Sequence, residues 1–363
     1  MSSSEICKIM KQAIQVYFPT TEVVSVPVAD GGEGSVASFL AVRNGKIISA
    51  TVKGPFFHDM EGFYGVIDGN TAIIEMASCA GLPLVGDNGQ PDKTTTYGVG
   101  QLIVHAARHG CKKIIVGLGG SCTNDGGTGA AAAAGITFYD QENKAFIPTG
   151  GTLSSISRID RSGLIPEVQN AEIITMCDID NPLYGKNGAA YVFGPQKGAD
   201  SSMVELLDRE LKYFADIVKR DLKVNIAGIP GAGAAGGMGA GMSAFFGSRL
   251  QMGIETVLDT VNFDSLITDA DLIITGEGRI DSQSLRGKVV IGVARRIKKR
   301  GIPVIAVVGD IGDNIEPVYD EGVSAVFSIN RVAIDFAHAR TRSKNDLALT
   351  MDNLMRFMKR VGW

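Results

Sequence analysis

At 363 residues, 45 % of them hydrophobic and 20 % charged, the chain is long enough for two domains with cores of their own and has the composition of an ordinary globular protein. Its net charge of −4 argues against general binding to nucleic acid or to anionic membranes, so a polyanionic ligand must be handled by backbone amides and a few Lys or Arg side chains. Five scattered cysteines without a C-x-x-C pair read as reduced, cytoplasmic thiols, and four histidines, none paired with a cysteine, argue against a zinc site.

The chain opens on a helix. Ser2 and Glu5 fit a capping box, and Ile6, Ile9, Met10, Ala13 and Tyr17 recur at helical spacing, which predicts a helix over 3–17. It has no basic head and no long apolar run, so it reads neither as a signal peptide nor as a membrane span. Val23 to Val28 is the next expected strand, running into Asp30-Gly31-Gly32-Glu33-Gly34 and a helix over 35–42. Carboxylates in a glycine loop at a strand's carboxyl end sit where open α/β sheets bind ligands, although a capped turn with solvated acids fits too. From Gly45 the pattern becomes Lys46–Val52, Gly62–Asp68 and Ala72–Met76, strands joined by short turns such as Asp68-Gly69-Asn70. This predicts an antiparallel hairpin region and a second domain. Thr94, Thr95 and Thr96 then lead into a helix, as its opening turn or as hydroxyls for a carboxylate or phosphate.

Lys112 to Ala134 is the most informative stretch. Ile114-Ile115-Val116 reads as a strand buried on both faces, six glycines follow between Gly117 and Gly129, and Ala130 to Ala134 continue as helix. Such a loop aims free amides at an anion, and Gly119, Gly120, Ser121 and Thr123 are the candidate cradle. Asn124 could orient a ligand. Asp125 could hold a cation or take a proton, or simply cap the helix. No Gly-Lys-Ser/Thr follows, so this is not a Walker A loop. Ile173–Met176 predicts a further strand, and if it continues, Asp178 and Asp180 share one face, as a metal pair or a base with its orienting partner would. Lys197 lies between Gly194 and Gly198, either a phosphate contact or plain surface. Gly231 to Gly236 spells G-x-G-x-x-G with Glu255 at a ribose-acid distance, but residues 225–230 make a poor strand, so the dinucleotide fingerprint is weak.

Beyond Asp271 the pattern is strictly βα. Leu272–Thr275 runs into Gly276-Glu277-Gly278-Arg279-Ile280-Asp281 and a helix over 289–300; strands at 303–308 and 325–328 and a last helix over 345–361 follow. The expected fold is therefore two α/β domains. Residues 1–45 with 265–363 form a discontinuous Rossmann-like domain with a parallel sheet, and 46–264 an inserted domain with a mixed sheet and the glycine loops.

GLGGSCTNDGG at 117–127, VADGGEG at 28–34, CDIDNPLYG at 177–185, VFGPQKGA at 192–199, GAGAAGGMGAG at 231–241 and ITGEGRID at 274–281 together resemble the bacterial type I glycerate kinases, in the same order along nearly the whole chain. The resemblance implies ATP-dependent phosphorylation of D-glycerate, with 2-phosphoglycerate favoured over 3-phosphoglycerate and with Mg²⁺. Since phosphoryl transfer needs mainly positioning and charge neutralisation, it also implies roles. The Gly117–Gly129 loop would hold phosphates or the glycerate carboxylate. Asp30, Glu33, Glu277 and Asp281 are candidates for the metal or the substrate hydroxyls, Glu277 and Asp281 foremost for the metal, and Arg279, Lys197 and Lys288 would offset negative charge. Asp180 is the expected base, Asp125 the second choice, with Asp178 beside them. An NAD-dependent hydroxy-acid dehydrogenase and a non-catalytic sugar-acid-binding protein stay open as alternatives, and a homodimer is a possible assembly. The family carries a strand ending in Asp-Ser-Phe-Lys-Gly before the first helix. Its absence here predicts that Met1 is an internal start and that this chain is poorly active.

Overall fold

β-branched runs that are apolar without alternation become central strands, and alternating ones become edge strands. In a computed structural model, which describes Met1 to Trp363 apart from Asp30 and Gln283, six strands form one mixed sheet. They are β1 (Gly45–Lys53), β2 (Asp59–Ile67), β3 (Thr71–Glu75), β4 (Lys113–Gly117), β5 (Glu172–Met176) and β6 (Arg249–Gln251), adjacent in that order. β1, β2 and β3 pair antiparallel, while β3, β4, β5 and β6 run parallel. The β2–β3 turn places Asp68 and Gly69 at positive φ (51° and 77°), the pair of left-handed residues that a tight hairpin matching the sheet twist requires.

Parallel pairing needs a crossover, and the helix Tyr97–Arg108 supplies the one from β3 to β4. Val99, Leu102, Ile103 and Ala106 of that helix are wholly buried in one core with Ile74 of β3 and Ile114 and Val116 of β4. Each such Leu or Ile stabilises the layer by roughly 1.5–3 kcal/mol. The helix Ser35–Val42 packs on β2 and β3, with Val36 over Gly65, where a Cβ would come within 2.9 Å of Val36 Cγ1.

Contacts divide the chain into Asp30–Gly253 and a smaller unit made of Met1–Ala29 and Ile254–Trp363. The sequence boundaries stood at 45/46 and 264/265. The smaller unit has a sheet of three parallel strands, β7 (Ile273–Thr275), β8 (Val304–Val308) and β9 (Ala325–Ser328), in the order β7-β8-β9, and beside it a short parallel pair of Arg279–Ile280 with Asp310–Ile311. The helix Val289–Ile297 buries Val290, Ile291 and Ala294 against Ala306 and Val308 of β8. The first helix, Ser3–Tyr17, with the expected capping box, packs on the last, Phe336–Arg360, through Met10, Leu347, Met351 and Met355. Two α/β units, one with a parallel and one with a mixed sheet, are the expected fold class.

Two expectations for this unit need correction. Val23–Val28 is not a strand: no described strand pairs with it, Val24 is exposed, and Pro27 lacks the amide a ladder needs. The last helix starts at Phe336, well before 345, because its first turns are held by polar contacts and not by an apolar stripe. Asp335 accepts from His338 N at 3.1 Å, and Arg342 pairs with Asp346 one turn on. Among the described residues no helix is long and apolar enough to cross a membrane.

Candidate active site

Ligands of parallel sheets bind beyond the carboxyl ends of the strands. In the larger unit the loops leaving β4 and β5 border a cavity of about 210 Å³ there, lined by Leu118 to Ser121 from the first and Met176 to Ile179 from the second. Leu82, Phe193, Gln196, Lys197, Ala234 and Ala235 complete the lining. The glycines of the β4 loop serve backbone-to-backbone packing. Gly119 N donates to Gly31 O at 3.1 Å, and a Cβ on Gly119 would stand 2.5 Å from Gly32 Cα. Leu82 N donates to Gly120 O and Cys122 N to Ala80 O, which fixes the loop's other flank. The Gly31–Gly34 turn is tied to the sheet by Glu75 at the end of β3. Its buried Oε1 accepts from Val36 N at 2.6 Å, and burial pushes the carboxyl up from its ordinary range.

Asp125 is the cap of this loop. It is wholly buried, and its Oδ2 accepts from Thr96 N (2.8 Å), Thr96 Oγ1 (2.9 Å) and Gly129 N (3.3 Å) while Oδ1 accepts from Gly127 N (3.1 Å). Burial raises its pKa, and the four donors draw it back. Both oxygens are engaged in holding the loop and the helix Thr128–Ala133, as the capping alternative for Asp125 expects. That helix is short, and its first amides turn to Asp125. The threonine run is likewise internal: Thr94 Oγ1 donates to Cys122 O, and Thr96 Oγ1 also accepts from Ala130 N.

Lys197 is the informative side chain. It sits in a one-turn segment, Pro195–Lys197, ended by Gly198 at φ +95°, and is only 3 % exposed. Its Nζ donates to Ser121 Oγ at 2.8 Å and to Thr123 O at 2.7 Å, and burial pushes its pKa down to about 8, which Cys122 and Asp125 oppose. The alternative of a plain surface lysine is excluded. Next to it Thr123 and Asn124 are wholly buried, and neither the Thr123 hydroxyl nor either end of the Asn124 amide has a hydrogen-bond partner among the described residues.

β5 stops at Met176, so Asp178 and Asp180 lie beyond the strand and share no strand face. Asp178 lines the cavity, with Oδ1 accepting from Gly253 N at 2.6 Å. Asp180 is exposed and outside the lining. The G-x-G-x-x-G stretch lacks the strand of a dinucleotide fold: residues 223–233 contain none. Its glycines instead allow Ala235, Gly236 and Gly237 to be left-handed in succession, so that a Cβ on Gly236 would lie 2.0 Å from Thr123 O. Glu255 is engaged with Arg296 at 3.7 Å.

The smaller unit carries the remaining candidates on the loop after β7. Glu277 is half-buried, its Oε1 accepts from Ser284 Oγ, and its buried Oε2 has no hydrogen-bond partner among the described residues. Burial raises its pKa, with Ser284, Val290 N and Lys288 opposing. Arg279 lies 3.6 Å from Asp281 and 3.8 Å from Asp310. Lys288 precedes the helix Val289–Ile297 as its N-terminal flank. A larger, shallow depression of about 660 Å³ at Thr268–Asp271, Arg300 and Ile302 lies before β7 and β8, at the edge opposite to ligand-binding loops. Glu33 is exposed, and Asp30 falls outside the described residues. No group of three His, Cys, Asp or Glu side chains is placed to hold a metal among the described residues.

Sequence reasoning missed Glu75 and Ser284, and it weighed Thr96 as a helix entry or a ligand hydroxyl but not as the partner of Asp125. An acid closing a buried apolar strand, Ile73-Ile74-Glu75, was the available signal for the first; nothing in the sequence marks Ser284. The profile of the glycerate kinase family matches residues 1–359. The chain is 45 % identical over 356 residues to a glycerate kinase of Bacillus cereus, covering 98 % of this chain and 93 % of that protein. It is 45 % identical over 331 residues to glycerate 2-kinase of Escherichia coli K12, covering 91 % and 87 %. The crystal structure of a candidate glycerate kinase 2 from Salmonella typhimurium LT2 superposes with a TM-score of 0.87 at 40 % identity, covering 99 % of this chain and 95 % of that one. A match of this extent, with the glycine loop, the buried lysine and the strand-end acids inside it, places the chain in the glycerate kinase family.

Proposed function

We propose that this protein transfers the γ-phosphoryl group of ATP to a hydroxyl of D-glycerate, at the 2-position. The observation that carries the reading is a buried, positively charged lysine in a small cavity at the carboxyl edge of β4 and β5. Relatives named glycerate kinase and glycerate 2-kinase support the substrate and the position. The dehydrogenase alternative has no strand before its glycines to stand on.

On this reading the acid occupies the cavity of the larger unit. Asp178, oriented by the Gly253 amide, takes the proton as the hydroxyl oxygen bonds to phosphorus and the bond to the bridging oxygen of ADP breaks. Asp180 was the expected base; Asp178 is preferred because it lines the cavity. In the smaller unit, taken by itself, the loop after β7 offers Lys288 and Arg279 as cations for a phosphate-bearing ligand. Its Glu277 and Asp281 suit Mg²⁺, since they offer hard carboxylate oxygens and Glu277 Oε2 is buried without a hydrogen-bond partner among the described residues. Mg²⁺ bound there would neutralise charge on the phosphates. Five free thiols suit a cytoplasmic location; a homodimer is the assembly that light scattering would test. A coupled ADP-release assay over a panel of small hydroxy acids, followed by phosphorus NMR of the product, tests the function. Absence of glycerate-dependent ADP release, or a 3-phosphorylated product, would overturn it in whole or in part.

A further inference from the structure

Lys197 is a cation without a counter-ion. Its two hydrogen-bond acceptors, Ser121 Oγ and Thr123 O, are both neutral, and among the described residues no carboxylate stands within ion-pair distance. An ammonium has three donors, so one remains unassigned. Burying such a group is unfavourable unless an anion joins it, and a fold that keeps it buried is shaped for that anion. The cavity in front limits what the anion can be. Its volume of about 210 Å³ is below the ~300–1,000 Å³ of pockets that enclose drug-sized ligands, and Leu82, Leu118 and Phe193 close its apolar side. A three- or four-carbon acid fits within such a space, which is too small to enclose a whole nucleoside triphosphate. The neighbouring Asn124 amide and Thr123 hydroxyl, buried and unpartnered, are a second sign that this region is polar for the sake of a guest.

We infer that Lys197 is the carboxylate seat of the acceptor, the residue by which the enzyme selects small 2-hydroxy acids over neutral polyols, and that it does not bind the phosphates of ATP. The inference rests on the kinase reading above, and it assigns an end of the substrate to one side chain. The third Nζ donor meets a carboxylate oxygen, which leaves the hydroxyl-bearing carbon in the same cavity as Asp178, a further residue of its lining. The titratable groups around Lys197 are Cys122 and Asp125, which act on its charge, and Cys177 and Asp178, which line the same cavity. None of them supplies a counter-charge at ion-pair distance.

The test is calorimetric binding of D-glycerate, glycerol and MgATP to the full chain and to Lys197→Met, without turnover. Lys197→Met is expected to bind glycerate at least roughly 100-fold more weakly, to bind MgATP as the parent does, and to stay folded because a buried charge has been removed. Glycerol is expected to bind neither protein. If Lys197→Met keeps glycerate affinity and loses MgATP affinity instead, the assignment is overturned. A second measurement needs no variant: glycerate affinity of the parent is expected to fall as pH rises above about 8, where Lys197 loses its proton. A flat profile between pH 7 and 10 would also overturn it. Failure of the kinase reading looks different, since the parent would then bind glycerate with this same dependence on Lys197 and release no ADP.

Discussion

Replacing Asp125 by asparagine separates a cap from a catalytic base. The carboxylate receives four donors, three on Oδ2 and one on Oδ1. An asparagine keeps most of them by placing its oxygen at the Oδ2 position, which turns its NH₂ toward the Gly127 amide, donor against donor. One buried donor is then unsatisfied, at ~1–3 kcal/mol, and three charge-assisted bonds become neutral ones of about half the strength. The expected loss is roughly 3–7 kcal/mol, which for a domain of this size lowers Tm by about 6–28 °C. Urea melts and calorimetry measure the loss, and turnover is normalised to folded protein. On the cap reading kcat per folded molecule falls less than about tenfold. If Asp125→Asn is within ~0.5 kcal/mol of the parent while kcat drops by the ~10²–10⁴-fold typical of a removed general base, Asp125 is the base and the cap reading is refuted.

Asp178→Asn is expected to lower kcat by ~10²–10⁴-fold with MgATP affinity unchanged, and Asp180→Asn, at an exposed position, by far less; the reverse order in steady-state kinetics would return the role to Asp180. Gly236→Ala places a methyl 2.0 Å from Thr123 O at φ +67°, so it is expected to destabilise by ~2 kcal/mol or more in urea melts and, by shifting the carbonyl that holds Lys197, to raise KM for glycerate more than KM for ATP. Gly185→Ala, at φ +90° in open space, is the control and carries backbone strain alone. Lys197 also sets a pH dependence of stability. Its folded pKa of about 8 lies below the ordinary 10.5, so between those values the unfolded chain holds a proton that the native protein lacks. Ligand-free stability therefore rises from pH 8 to pH 10.5 by on the order of 3 kcal/mol. Lys197→Met is expected to remove this rise and to be the more stable protein near pH 7, and denaturant midpoints over that range would show otherwise.

The elements were legible where one physical signal dominated. Ile114-Ile115-Val116 could only be a strand buried on both faces, and Asp68-Gly69 names its own hairpin turn. The signal failed where the stabilising partner lay elsewhere in the chain. Val23–Val28 has strand propensity, but a strand exists only with a neighbour, and no described strand supplies one. The first turns of Phe336–Arg360 have no apolar stripe to read, because a cap and an ion pair hold them. Ser35–Val42 was grouped by chain order with the first helix, whereas its buried face, Val36 and Phe39, belongs over β2 and β3.

For the site, the glycines located the place but not the roles. The sequence reading asked what the amides between Gly117 and Gly129 would bind, and the structure gives many of them protein partners: Asp125 takes Gly127 and Gly129, Gly31 takes Gly119, and Gly236 takes Gly126. Glycine is needed there because four stretches of backbone meet without side chains between them, as the sub-3 Å distances of a Cβ on Gly117, Gly119, Gly236 or Gly241 require. The anion then falls to the side chain that this packing buries. The local sequence left Lys197 open between a phosphate contact and plain surface, because its burial follows from a distant partner: Gly89 and Gly198 let two loops touch, with a Cβ on Gly89 only 2.2 Å from Lys197 O. Glycine-rich packing and a lone buried cation are thus one design: the first buries the second at the rim of a small cavity, and the charge left unmatched among the described residues is what a small carboxylate can satisfy.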